Sequence, residues 1–88
     1  MENKIKLEVL DRIEKNNKKP ITVKQEGFIC SKLHIEKLAF DLDYDILKLK
    51  DELSEIYFSI NVNQIYKIEE NKRAIHFYLD NDTQIEIY

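Results

Sequence analysis

The sequence predicts an α+β fold: an N-terminal helix followed by a five- or six-stranded antiparallel sheet that closes as a small, partly open barrel. Three observations predict it. Residues 2–17 repeat apolar side chains at helical spacing. From residue 21 onward, apolar and polar residues alternate in short runs, the period of a strand with one apolar face and one wet face. Short polar turns separate those runs, and a sheet with one apolar face must be covered, here by the helix.

In the helix, Ile5, Val9 and Ile13 lie four apart on one face, and Leu10 widens the stripe. Glu8 and Arg12 have the i, i+4 spacing of a supporting ion pair. Asn16-Asn17-Lys18-Lys19-Pro20 ends it, since Asn suits the C-cap and Pro cannot continue. A helix this short needs tertiary burial, so its stripe is expected to plug an open end of the barrel; docking on a partner is the other use. Residues 21–26 read as a strand, and Gly27, the one glycine, marks a bulge or tight bend. Residues 28–42 admit two readings. Leu33 and Ile35 share one strand parity, whereas Leu38, Phe40 and Leu42 share the other. The preferred reading is a bent strand whose phase is reset near Glu36-Lys37; the rival is a helix from Ser31.

Tyr44-Asp45 turns the chain, residues 46–50 form the next strand and residues 51–55 the next turn. Ile56–Ile68 is the strongest strand signal. Ile56, Phe58, Ile60 and Val62 alternate with Tyr57, Ser59, Asn61 and Asn63, and the asparagines bring turn chemistry before Ile65 resumes an extended run. Phe58 and Ile60 are expected to be among the most buried residues. Residues 73–88 read as a hairpin. Its apolar residues Ile75, Phe77, Leu79, Ile85 and Ile87 are all odd-numbered, so opposed residues must sum to an even number. A three-residue loop Asp80-Asn81-Asp82 places Phe77 opposite Ile85, Ile75 opposite Ile87, His76 opposite Glu86 and Tyr78 opposite Gln84. Asn81 or Asp82 supplies the left-handed residue. A five-residue loop, Asp80–Gln84, is the rival and would set Phe77 opposite Ile87.

Composition narrows the function classes. Eighty-eight residues suffice for one domain with one modest core. A net charge of −3 with 35% charged residues argues against strong non-specific attraction to nucleic acid or membrane. Cys30 is the one cysteine, so no internal disulfide is available, and a cytoplasmic setting is expected for so small a domain. No signal peptide and no run of about 20 apolar residues is visible. Ile, Lys and Asn are heavily used, Gly and Pro occur once each, and Arg12 and Arg73 are the only arginines. The genetic code assigns the first group AT-rich codons and the second group GC-rich codons, so this usage points to a low-GC bacterium or one of its phages or mobile elements.

No chemical motif stands out. Asp41-x-Asp43-x-Asp45, with Glu52 at the twelfth place, has the spacing of an EF-hand calcium loop. Ile46 stands where that loop needs glycine, so the three carboxylates read as a solvated acidic strip and no metal is expected. Cys30, His34 and His76 lack the paired spacing of a zinc site, and Cys30 is expected to be a small buried hydrophobe. Neither a cofactor nor a catalytic set is expected. The candidate partner-binding residues are Tyr57, Tyr78 and Tyr88, which point away from the apolar face, with His76 and the acidic strip Asp41, Asp43 and Asp45. Were the tyrosines to form an interface, a C2 homodimer would be the default.

The helix-first order, the bent second strand and the tight turn within 56–68 resemble SH3-like and Sm-like barrels. The resemblance is one of pattern and carries no family function. The expected function is a small non-enzymatic intracellular protein-binding module, an inhibitor or adaptor acting on a host protein. Size and composition fit a phage inhibitor of host defence, of the anti-CRISPR kind. An Sm-like nucleic-acid-binding protein is the alternative; it would need a basic patch that the net charge does not supply.

Overall fold

The alternating segments pair into two antiparallel sheets rather than one. The structure, a computed structural model, describes residues 2–88, with side chains from Lys4 on. Helix α1 spans Glu2–Glu14 and is followed by strands β1 (Ile21–Glu26), β2 (Ser31–Ile35), β3 (Leu38–Asp43), β4 (Ile46–Asp51) and β5 (Tyr57–Asn61). A 3-10 turn η1 (Val62–Gln64) leads into β6 (Ile65–Glu70), β7 (Ile75–Leu79) and β8 (Gln84–Ile87). One sheet has the order β2-β1-β8-β7-β6, the other β3-β4-β5. The fold is α+β as the patterning predicts, with more and shorter strands. The helix ends three residues earlier than the cap signals suggest, and Lys18 takes a left-handed conformation (φ 68°) on the way to Pro20.

The ambiguous stretch 28–42 is strand on both sides of the phase reset. The reset at Glu36-Lys37 is a corner between sheets, not a bulge within one strand. Leu33 and Ile35 face the core from the first sheet; Leu38, Phe40 and Leu42 face it from the second. Asp51, only 5% exposed, holds this corner. Its carboxylate accepts hydrogen bonds from the backbone N–H groups of Glu36 (3.0 Å), Lys37 (3.2 Å) and Leu53 (3.0 Å). Glu52 N–H donates to the carbonyl of Lys37 beside it.

The chain returns to the first sheet through η1. Asn61 caps that turn by accepting from Asn63 N–H, as the turn chemistry of the two asparagines implies. Ile65 and Ile68 both reach the core although they lie three apart. A bulge at Tyr66, between the Ile65–Leu79 and Lys67–Tyr78 pairs, makes this geometry available. Ile60 is buried as expected. Phe58 is only half-buried, which corrects the expectation: β5 is the edge of the smaller sheet, so Phe58 has Leu49 on one side and no strand on the other. Ile56 lies before β5 and is exposed.

Val9 and Ile13 of α1 are fully buried and, with both sheets, complete one continuous core centred on Phe77, Leu47, Leu49 and Ile85. Arg12 pairs with Glu8 (3.7 Å), as the spacing predicts, and its Nε lies 2.7 Å from Glu70 Oε1, off the N–H axis, an ion pair that ties helix to β6.

The C-terminal hairpin has the register read from parity: Ile75–Ile87, His76–Glu86, Phe77–Ile85 and Tyr78–Gln84. Leu79 N–H closes the three-residue loop onto Thr83 O (2.8 Å), and Asp82 is the left-handed residue (φ 63°). Asp82→Gly is therefore expected to be neutral or to stabilise by up to about 1 kcal/mol, and Asp82→Val to destabilise by about 1–2 kcal/mol. Urea denaturation midpoints check both; equal effects of the two substitutions would contradict the assigned loop.

Candidate functional site

The sheets turn their even and odd residues to different sides, and this sorts the sequence candidates onto two outer faces. On the outer face of the five-stranded sheet, cross-strand pairing aligns Lys32, Lys24, Glu86, His76 and Glu69 in one row. Tyr78 and Gln84 form the neighbouring row with Lys67, and Tyr88 lies beside Thr22 in a backbone pair (2.7 and 3.0 Å). His76 Nε2 is 3.8 Å from Glu86 and its Nδ1 3.1 Å from Gln84 Nε2. The His76 and Tyr78 rings stack at 6.4 Å. Tyr78 donates to Glu69 Oε1 (2.7 Å) while Lys67 lies over its ring at 5.3 Å. The hydroxyl bond holds the Glu69 carboxyl below its ordinary range, and the same bond raises the Tyr78 phenol. These contacts orient the side chains of the face.

Tyr57 lies on the other sheet. The outer face of β3-β4-β5 presents Ala39, Lys50 and Tyr57 in one row, Asp41, Lys48 and Ser59 in the next, and Asp43, Ile46 and Asn61 in the last. Lys48 Nζ sits 5.1 Å from the Tyr57 ring centroid, and Lys50 is 3.8 Å from Asp41. The three tyrosines therefore do not share a face: Tyr57 joins Asp41 and Asp43, while Tyr78 and Tyr88 join His76. The sequence spacing of Asp41, Asp43 and Asp45 is that of two strands and a turn, with Tyr44 left-handed (φ 56°). Asp45 is engaged by Lys6 (2.9 Å), and Glu52, twelfth in the calcium-loop spacing, is engaged by Lys18 and Lys37 at the opposite end of β4. Among the described residues no group of three or more Asp, Glu, His or Cys side chains is placed to hold a metal.

Cys30 is exposed rather than buried. It lies in the loop joining β1 to β2, where Gly27 makes the bend: a Cβ at Gly27 would lie 3.1 Å from Thr83 Oγ1 of the neighbouring hairpin. Phe28 is wholly exposed and Ile29 largely so. Tyr44, at the tip of the β3–β4 hairpin, is also largely exposed, and with Ile46, Asp41, Asp43 and Lys48 it lines a depression of about 300 Å³. The sequence reading missed Phe28 and Ile29. The signal was an apolar pair after the one glycine that neither strand phase required.

At the far end, a hollow of about 140 Å³ is lined by Asn16, Glu70, Lys72, Arg73, Ala74 and Tyr88, among others. It is smaller than the roughly 300–1,000 Å³ of usual small-molecule sites. No protein-family model, curated protein or solved structure matches the chain. No helix among the described residues is long and apolar enough to cross a membrane.

Proposed function

We propose that this chain is a small non-enzymatic protein-binding module of the cytoplasm, an inhibitor or adaptor that a phage or mobile element of a low-GC bacterium directs at a host protein. An anti-defence role of the anti-CRISPR kind fits this reading. The observation that carries it is the wholly exposed Phe28 beside the largely exposed Ile29 on one hairpin tip. Burying a phenylalanine is worth about 1.5–3 kcal/mol, which the free molecule forgoes here and a partner's pocket would recover. The face with Tyr57, Asp41 and Asp43, which also carries Lys48 and Lys50, adjoins this end through Tyr44 and Ile46 and forms the rim of the contact. Tyr78, Tyr88 and His76 form a second, polar face for a further contact or a second copy.

A second reading, nucleic-acid binding, is favoured by one observation: Lys72 and Arg73 line the far hollow together with Asn16, which belongs to the lysine-rich segment 15–19. Affinity capture from lysate of a low-GC bacterium, at low and high salt, separates the two. The expected result is a discrete protein retained after nuclease treatment by the wild type and lost by Phe28→Ser, whose stability should change by less than about 0.5 kcal/mol. Retention of RNA or DNA with steep salt dependence, unaffected by Phe28→Ser, would favour the second reading.

A further inference from the structure

We infer that the surface met by the Phe28 end is a cationic protein surface with an apolar recess; this deepens the protein-binding reading and rests on it. Strand directions put the connections 27–30, 44–45, 61–64 and 80–83 at one end of the molecule, and 15–20, 36–37, 52–56 and 71–74 at the other. Contacts tie the first set together in series. Gly27 abuts Thr83, Asp80 N–H donates to Gln64 O (2.9 Å), and Val62 N–H donates to Asp45 O (2.8 Å).

The two ends differ in charge. The first set contains Asp45, Asp80 and Asp82 and no lysine or arginine; Glu26 and Asp43 flank it, and Lys24 and Lys32 line a hollow beside Cys30. Lys6 reaches Asp45 from the helix, and Lys24 reaches Glu26 (3.3 Å). Asp43, Asp80 and Asp82 are in no ion pair among the described residues. The second set carries Lys15, Lys18, Lys19, Lys37, Lys72 and Arg73 against Glu36, Glu52 and Glu55. The connections thus sum to −3 at the first end and +3 at the second, a difference the overall net charge of −3 conceals.

The exposed apolar side chains Phe28, Ile29 and Tyr44 are on the acidic end. An anionic partner, whether acidic protein, nucleic acid or anionic membrane, would meet like charge there. A cationic surface meets unpaired carboxylates around an apolar tip, the arrangement in which charge steers the encounter and apolar burial holds it.

The test is an amide NMR titration of the 15N-labelled full chain with synthetic peptides of equal length, alternating leucine with lysine, with serine or with glutamate. The lysine peptide is expected to shift amides at 26–30, 43–46 and 80–83, and to bind about tenfold more weakly at high salt. Asp43→Asn/Asp80→Asn/Asp82→Asn should weaken it about tenfold as well, and Phe28→Ser should abolish it. Equal binding of the serine peptide at the same amides would overturn the cationic partner and leave the protein-binding reading standing. Shifts at other residues, no shift with the lysine peptide, or shifts of these amides by single-stranded DNA would also overturn the inference.

Discussion

Phe77→Ala is expected to destabilise the protein by about 3–5 kcal/mol, a large fraction of the roughly 5–15 kcal/mol that holds an ordinary domain folded. Phe77 is 0% exposed. It faces Ile85 across β8 and Ile68 across β6, so truncation opens a cavity with rigid strands on both sides. Phe58→Ala should cost less, about 1–2 kcal/mol, because its ring is already half in water. Urea unfolding reads both as shifts in midpoint at constant slope. Equal losses for the two would contradict the placement of Phe58 on an open edge.

Asp51→Ala is expected to be the most damaging change to a polar side chain. It leaves the N–H groups of Glu36, Lys37 and Leu53 without their acceptor at the corner where the chain passes between sheets. Those bonds, that of Leu53 foremost, hold the Asp51 carboxyl below its ordinary value of 3.8. A carboxyl lowered in the folded state contributes stability that is complete above that value and disappears as pH falls through the folded-state pKa. Glu52, lowered chiefly by its bond to Lys18, and Glu69, lowered chiefly by Tyr78, act in the same direction. The difference between wild-type and Asp51→Asn melting temperatures isolates Asp51. It should be large near neutral pH and shrink on acidification below about pH 4. Parallel curves would contradict the role given to this carboxylate.

Much of the fold was legible because parity is a local property. The hairpin register followed from the odd numbering of Ile75, Phe77, Leu79, Ile85 and Ile87, and the even-numbered face of His76 and Tyr78 followed with it. The switch of parity at Glu36-Lys37 marked a real event in the chain. Parity alone could not say that the event was a change of sheet, because sheet membership is set by long-range pairing. For the same reason it could not tell that Phe58 would sit on an edge or that Tyr57 would part from Tyr78. Cys30 was misplaced because residue type alone was read, whereas it lies exposed in the β1–β2 loop after the Gly27 bend. The charge separation was invisible along the sequence, since Lys15–Lys19 and Lys72-Arg73 become neighbours only when β1 and β7 start from the same end.

On the proposed reading, a protein partner sits on the end of the molecule bearing Phe28, Ile29 and Tyr44. Backbone hydrogen exchange of the chain, free and in the complex captured from lysate, tests it most directly. Added protection at 27–30, 44–46 and 80–83 is the predicted result. Added protection confined to 15–19, 36–37 and 71–74, or to the Tyr78–His76 face, with the Phe28 loop exchanging as in the free protein, would contradict it.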